Sequence, residues 1–151
     1  MSSFNVVQVI PALESGGVER GTIDVANYLA ELKIHNSIIS NGGLLENELN
    51  QEFIDHFKLP VHSKNPILIL INTFILSLIK LFLKINIVHA RSRAPAWSCL
   101  FSCFFTGRKF VTTFHGTYNF TNNIKKFYNS VMVRSDLIIA GSNFIFSHIN
   151  E

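Results

Sequence analysis

The chain lacks most features that would declare its chemistry at once. Its only cysteines, Cys99 and Cys103, lie four apart in an apolar helical pattern. That rules out a disulfide framework, and no second pair completes a zinc site. They read as small core hydrophobes of a reducing compartment. Charge is sparse: 15% of residues are charged against 48% hydrophobic. The only close basic pairs are Arg91/Arg93, Arg108/Lys109 and Lys125/Lys126. No basic block resembles a nucleic-acid arm, so no nucleic-acid partner is expected. A net charge of +3 suits an anionic small molecule or an acidic membrane surface better. Also missing are a dinucleotide G-x-G-x-x-G, a Walker loop, a nucleophile elbow, a metal-binding cluster and paired carboxylates. The start, Met1-Ser2-Ser3-Phe4-Asn5, has no basic n-region or cleavage site, which argues against secretion and for the cytoplasm.

What is present is alternation. At 151 residues the chain is long enough for one domain with a full core. Val6–Ile10 is a near-continuous apolar run closed by Pro11, as expected of a strand buried on both faces. After Ser15-Gly16-Gly17, apolar positions recur at Val18, Thr22, Val25, Leu29 and Leu32, one face of a helix. Asn36–Ser40 reads as a second strand, Leu44–Lys58 as a helix and Leu59–His62 as a short third strand. Asn86–His89, Lys109–Phe114 and Leu137–Ala140 supply further strands, separated by a helix from Pro95 to Gly107 and another around Ile124–Val131. A final helical stretch follows Gly141-Ser142-Asn143. Strand and helix in turn imply βαβ units, right-handed crossovers and a parallel sheet covered by helices on both faces.

The most hydrophobic segment runs from Ile67 to Ile85. Thr73, Ser77, Lys80 and Lys84 follow at helical steps, so the segment reads as an amphipathic helix with a polar stripe and a wide buried apolar face. Lying flat on a membrane is the alternative. A bilayer span is not expected.

In open α/β sheets, ligands gather outside the carboxyl ends of the strands. After strand one comes Glu14-Ser15-Gly16-Gly17-Val18-Glu19-Arg20. Its glycines allow close backbone approach, and the free N–H groups of the next helix favour an anion; a plain tight turn is the bland reading. After strand four, Arg91-Ser92-Arg93 is either a solvated loop or a phosphate or carboxylate clamp. His115, after strand five, stands apart from His35, His56, His62 and His148 because Gly116 follows it. Ser142 either caps the last helix or lines the cleft.

Three segments together resemble the first domain of retaining family-4 glycosyltransferases of GT-B architecture, two facing Rossmann-like domains. They are Val9-Ile10-Pro11-Ala12-Leu13-Glu14-Ser15-Gly16-Gly17-Val18-Glu19-Arg20-Gly21, Ile87 to Trp97, and Thr112-Thr113-Phe114-His115-Gly116-Thr117-Tyr118. Lys126 to Met132 fits as well, so the likeness covers nearly the whole chain. It is greatest to a bacterial subgroup of lipopolysaccharide-core and surface-glycan assembly. The resemblance implies transfer of a sugar from a nucleotide-sugar co-substrate to a glycan or glycolipid acceptor, with no metal or other cofactor. It implies His115 as the catalytic residue reaching the transferred sugar, and Gly16 and Gly17 near the donor diphosphate. Glu19, Arg20, Arg91, Ser92, Arg93, Gly116, Tyr118 and Ser142 are the expected substrate-binding residues. In that family the nucleotide is gripped by a second, C-terminal domain, and residues 1–151 correspond to the N-terminal domain alone. A separately encoded donor-binding half is therefore the expected partner. Little transfer is expected from this chain by itself, and peripheral contact with the inner face of the cytoplasmic membrane accompanies the reading. A non-catalytic remnant or binding module, and an unrelated Rossmann-like nucleotide-binding protein, are the alternatives.

Overall fold

The computed structural model describes residues 4–118 and 122–150. In chain order the elements are β1 (Val6–Val9), α1 (Gly17–Glu31), β2 (Asn36–Ser40), a 3-10 turn at Leu44–Glu48, β3 (Ile54–Lys58) and α2 (Pro66–Phe82). Then come β4 (Ile87–Ala90), α3 (Arg93–Thr106), β5 (Lys109–Phe114), α4 (Asn123–Asn129) running into a 3-10 turn at Ser130–Val133, β6 (Leu137–Ala140) and α5 (Asn143–Asn150). The six strands form one sheet in the order β3-β2-β1-β4-β5-β6, and every pair is parallel. β1 and β4 are neighbours in register, Gln8 opposite His89 and Val9 opposite Ala90.

Two cores flank this sheet. Ile10, Leu13, Ile23, Ala26, Ala30, Ile38, Leu45 and Ile54 cluster beneath α1. Val7, Val9, Val88, Ala90, Leu76, Trp97, Phe110 and Met132 cluster beneath α2, α3 and the turn after α4. Successive strand residues point to opposite faces, which is why Ile38 and Ile39 belong to different cores. The sheet with helices on both faces is thus the architecture read from the alternation.

Two elements differ from the sequence reading. The helix expected over Leu44–Lys58 is a short 3-10 turn followed by β3, and the third strand lies before Leu59–His62 rather than within it. Asn50 is the reason. Its side chain accepts from the N–H of Glu52, and its carbonyl accepts from the N–H groups of Phe53 and Ile54. That turn launches Ile54–Lys58 alongside Asn36–Ser40. The N–H of Leu59 extends the ladder to Ser40, and Pro60, which has no N–H, follows it.

The second difference concerns α2. The helix forms as expected, with Asn65 capping it through the N–H of Ile67 and Pro66 at its first position. Its polar stripe lies inside, beside buried Leu76, and much of its apolar surface lies outside. Asn72, Thr73 and Lys80 are buried, whereas Ile67, Leu70, Ile71, Phe74, Leu78, Leu81 and Phe82 are exposed. The inner face carries the polar stripe because its neighbours satisfy it. Asn72 Nδ2 donates to the Pro60 carbonyl at 3.2 Å, Thr73 Oγ1 to the Ile69 carbonyl at 2.8 Å, and Lys80 Nζ to Cys103 Sγ of α3 at 3.6 Å. Ser77 is half-buried and Lys84 exposed. Both cysteines are free thiols and buried, and burial raises the pKa of each. Among the described residues no helix is long and apolar enough to cross a membrane.

Candidate functional site

Strand order reverses direction between β1 and β4. Chain connections leave that point to opposite sides, opening a crevice above the carboxyl ends. A cavity of about 220 Å³ lies there, lined by Ile10, Pro11, Val18 and Glu19 from the β1–α1 segment, Arg91, Ser92 and Arg93 after β4, and His115, Gly116 and Tyr118 after β5.

Arg91 is buried and anchored from the opposite side of the crevice, its Nε donating to Thr22 Oγ1 of α1 at 3.1 Å. A methyl group on Gly21 would stand 3.2 Å from Arg91 Nη2, so glycine here lets α1 approach the guanidinium. Burial lowers the Arg91 pKa, but a guanidinium stays charged in any accessible pH range. Arg93 stacks over the Tyr118 ring at 4.2 Å to the centroid and donates from Nη1 to Asn129 Oδ1 at 2.8 Å. Tyr118 packs in turn on Phe114, and its own pKa is raised by burial against the pull of Arg93. One arginine is thus fixed from α1 and the other from the α4 side, with the cavity between them.

His115 lies on the rim. Burial and the charge of Arg91 lower its pKa, and Glu19 opposes them. The imidazole is therefore neutral near pH 7, with one nitrogen donating and the other accepting, a pattern suited to a hydroxyl group. Beneath it His89, buried in β4, shares a 2.6 Å hydrogen bond between Nε2 and Thr113 Oγ1. Its pKa is pushed down to about 3 by burial, then by Arg91 and His115. His89 is therefore uncharged near pH 7 and adds no cation close to Arg91 and His115.

Glycines open α1. Gly16 occupies the cap position without a side-chain partner for the first N–H groups. Glu19 folds back over it, its Oε2 standing where a Cβ on Gly16 would be. A carboxylate at a helix N-terminus occupies the natural place of an anion; Glu19 stands there in this structure.

Of the residues expected at the site, Glu19, Arg91, Ser92, Arg93, His115, Gly116 and Tyr118 line one cavity. Gly16 and Gly17 are exposed at its edge, outside the lining. Arg20 and Ser142 do not join it. Arg20 turns away to form a two-pronged pair with Glu48, its Nη2 to Oε1 distance being 3.0 Å. Ser142 caps α5, Oγ accepting from the N–H of Ile145 at 3.2 Å. Thr22 and Asn129, which hold the arginines, and Gly21, which leaves room for Arg91, were not among the residues expected at the site. Thr22 is the legible signal, a hydroxyl at a core-facing helical position. Among the described residues, no three His, Cys, Asp or Glu side chains gather as metal ligands.

The six-stranded parallel sheet with helices on both faces has the fold of the N-terminal-type domain of GT-B glycosyltransferases. The Glycosyltransferase Family 4 profile matches residues 15–151, and the chain belongs to that family. The crystal structure of a glycosyltransferase from Rickettsia africae superposes with a TM-score of 0.85 at 48% identity, covering 100% of this chain and 40% of that one. Anabaena Alr3699/HepE, solved in complex with UDP and glucose, matches at TM-score 0.72 and 15% identity over 96% of this chain and 40% of that one. The lipopolysaccharide outer core galactosyltransferase WaaB matches at 0.69 and 13% identity, over 97% of this chain and 42% of that one. These last two share the fold. The chain therefore spans about two fifths of the length of the structures it resembles. No curated protein sequence matches it. Membership of the family sets aside the unrelated nucleotide-binding protein.

Proposed function

We propose that this chain is the acceptor-side domain of a retaining glycosyltransferase, acting with a donor-binding half on a nucleotide-sugar and a glycan or glycolipid of the bacterial surface, such as lipopolysaccharide core. The observation that carries the reading is the meeting of Glu19, Arg91, Arg93, His115 and Tyr118 around one cavity at the β1/β4 switch, in a chain of this family. Two fixed arginines suit an anionic or hydroxyl-rich ligand, while Glu19 already stands at the α1 N-terminus. In the proposed reaction the bond from the anomeric carbon to the diphosphate breaks, and an acceptor oxygen bonds that carbon on the same face. The acceptor proton passes to the departing phosphate oxygen. Neutral His115 hydrogen-bonds the transferred sugar, Gly16 and Gly17 lie along the diphosphate, and Arg91, Arg93 and Tyr118 hold the acceptor. No metal or further cofactor takes part. Charge on the leaving diphosphate calls for cations, and these come from the donor-binding half. The protein works in the cytoplasm.

A chimera tests this. The present chain replaces the matching two fifths of the Rickettsia africae glycosyltransferase, and sugar transfer and nucleotide release are measured with the intact protein as reference. Transfer by the chimera, and its loss by about 100-fold or more in His115→Ala, is the expected result. A folded chimera that binds donor nucleotide yet transfers nothing would favour a non-catalytic binding module. Unchanged turnover in His115→Ala would take that residue out of the site.

A further inference from the structure

Beside the crevice lies a second, larger cavity of about 540 Å³, within the ordinary size of a ligand site. Arg93 belongs to the walls of both. Beyond that shared arginine, separate parts of the chain build the wall: Lys64 from the loop before α2, Thr117 after β5, and Lys125 and Tyr128 on α4. Three cations therefore border one space, and no carboxylate lines it. The sequence explains the imbalance, since none of the ten acidic residues lies between Asp55 and Asp136. Among the described residues, neither Lys64 nor Arg93 is in an ion pair.

Surface lysines alone would amount to a solvated rim. Two further observations make this a built site. Arg93 is half-buried and held on two sides, its guanidinium 4.2 Å from the Tyr118 ring centroid and donating at 2.8 Å to Asn129, which is itself buried. A rigid fork of N–H donors is thus fixed where the two spaces meet. The second observation is Tyr128. Its hydroxyl is buried and has no hydrogen-bond partner among the described residues, and a buried polar group left so calls for one. The charge of Arg93 reaches that hydroxyl and opposes the rise in pKa caused by burial, so fork and phenol are neighbours. Lys64 completes the group, its Nζ 5.8 Å from the centroid of the same Tyr128 ring. A neutral sugar would leave these cations without a counter-charge. An oxyanion accepts from all of them through charge-assisted hydrogen bonds, roughly twice as strong as neutral ones.

We infer that this second cavity is a subsite for a negatively charged group of the acceptor, a phosphate or a carboxylate, held by Lys64, Arg93, Lys125 and the Tyr128 hydroxyl. Gly16 and Gly17, the proposed seat of the donor diphosphate, lie on the α1 side of the crevice, whereas this cavity lies on the α4 side with Arg93 between. The reacting end of the acceptor then occupies the crevice and its acidic part the space beyond Arg93, so acidic acceptors are selected over neutral ones of the same shape. Assigning the anion to the acceptor rests on the transferase reading; the anion site itself does not.

Trp97, the only tryptophan of the chain, supplies the test. Its Nε1 donates to the Tyr128 carbonyl at 3.2 Å and its ring stacks on Phe127 at 5.1 Å, so its fluorescence reports on the cavity wall. The whole chain is titrated with glucose, glucose 6-phosphate and glucuronate, with isothermal titration calorimetry as a second measure. At least one acidic sugar should bind about tenfold or more tightly than glucose, as charge-assisted bonds require, and the tighter of the two identifies phosphate or carboxylate. Lys64→Gln/Lys125→Gln, at exposed positions, should remove most of that preference with melting unchanged. Tyr128→Phe deletes a buried hydroxyl without a partner, so it should keep or raise the melting temperature while weakening the acidic sugar several-fold. Equal affinity for all three sugars, no binding of either acidic one, or a preference that survives the lysine variant would overturn the inference. Acidic sugars bound by a chain whose chimera transfers nothing would uphold the anion site and overturn the transferase reading.

Discussion

Helices α1 and α2 occupy equivalent places, each crossing one face of the same sheet, yet they are built in opposite senses. α1 buries Ile23, Ala26 and Ala30 and turns Arg20, Asp24 and Glu31 outward. α2 buries Asn72, Thr73 and Lys80 around a single fully buried apolar residue, Leu76, and turns seven large apolar residues outward. Both have helical periodicity. The difference teaches that periodicity establishes two faces and says nothing about which is inside. That is decided by partners: the Pro60 carbonyl for Asn72, the Ile69 carbonyl for Thr73, and the Cys103 sulfur for Lys80.

The sharpest way to break the contrast is to truncate one residue from each face of α2. Leu76 is 1% exposed and belongs to the core beneath the helix. Leu76→Ala should cost about 2–5 kcal/mol through lost transfer energy and a residual cavity. Phe82→Ala, at an exposed position, should stay within about 0.5 kcal/mol. Urea unfolding of both variants decides it; a large loss in Phe82→Ala would mean that the outer face is packed in solution.

Beneath α1 the sheet carries a titratable group with the next largest effect. His89 has a folded pKa of about 3 against about 6.5 when unfolded. Between those values the unfolded chain holds the extra proton, so stability is full above about pH 6.5 and falls as pH drops toward 3. The slope is on the order of 1 kcal/mol per pH unit. His89→Gln should flatten this part of the pH–stability curve, with circular dichroism melts from pH 7 to 4 as the measurement. An equally steep curve in the variant would place the acid sensitivity elsewhere.

The same two regions show how far residues alone lead. Five of the six strands were legible: β1, β2, β4 and β5 are largely buried inner runs, and β6, though at an edge, is the unbroken apolar run Leu137-Ile138-Ile139-Ala140 ending at Gly141. β3 was not, since Ile54-Asp55-His56-Phe57-Lys58 lies at the sheet edge and follows a helix-like stretch; only the Asn50 turn separates them. At the site, Arg91, Arg93 and His115 were legible because polar residues closing apolar strands have one crevice to enter. Their supports were hidden. Thr22 and Asn129 come from helices 69 and 36 residues away in sequence, and such a pairing exists only once the chain has folded. Arg20 lies outside the cavity because it finds a nearer partner in Glu48, and Ser142 takes the helix cap, one of the two places the sequence leaves open for it.

Smaller effects separate the helices further. Lys80 is fully buried, with a thiol as its hydrogen-bond partner, and burial lowers its pKa. Lys80→Met keeps the length and volume of the side chain and removes the cost of desolvating an ammonium group, so a modest gain in stability is expected. The pH dependence gives the sign independently. With the folded pKa below the unfolded value of about 10.4, the unfolded lysine holds more proton in the interval between them, and wild-type stability should rise as pH climbs through it. Lys80→Met should lose that rise. On α1, Arg20 meets Glu48 at the surface with both side chains about half exposed, where water and salt screen the pair. Arg20→Ala should leave the melting temperature and the chimera's transfer rate unchanged. A drop in transfer with melting intact would return Arg20 to the site, and would mean that its pairing with Glu48 breaks when substrate arrives.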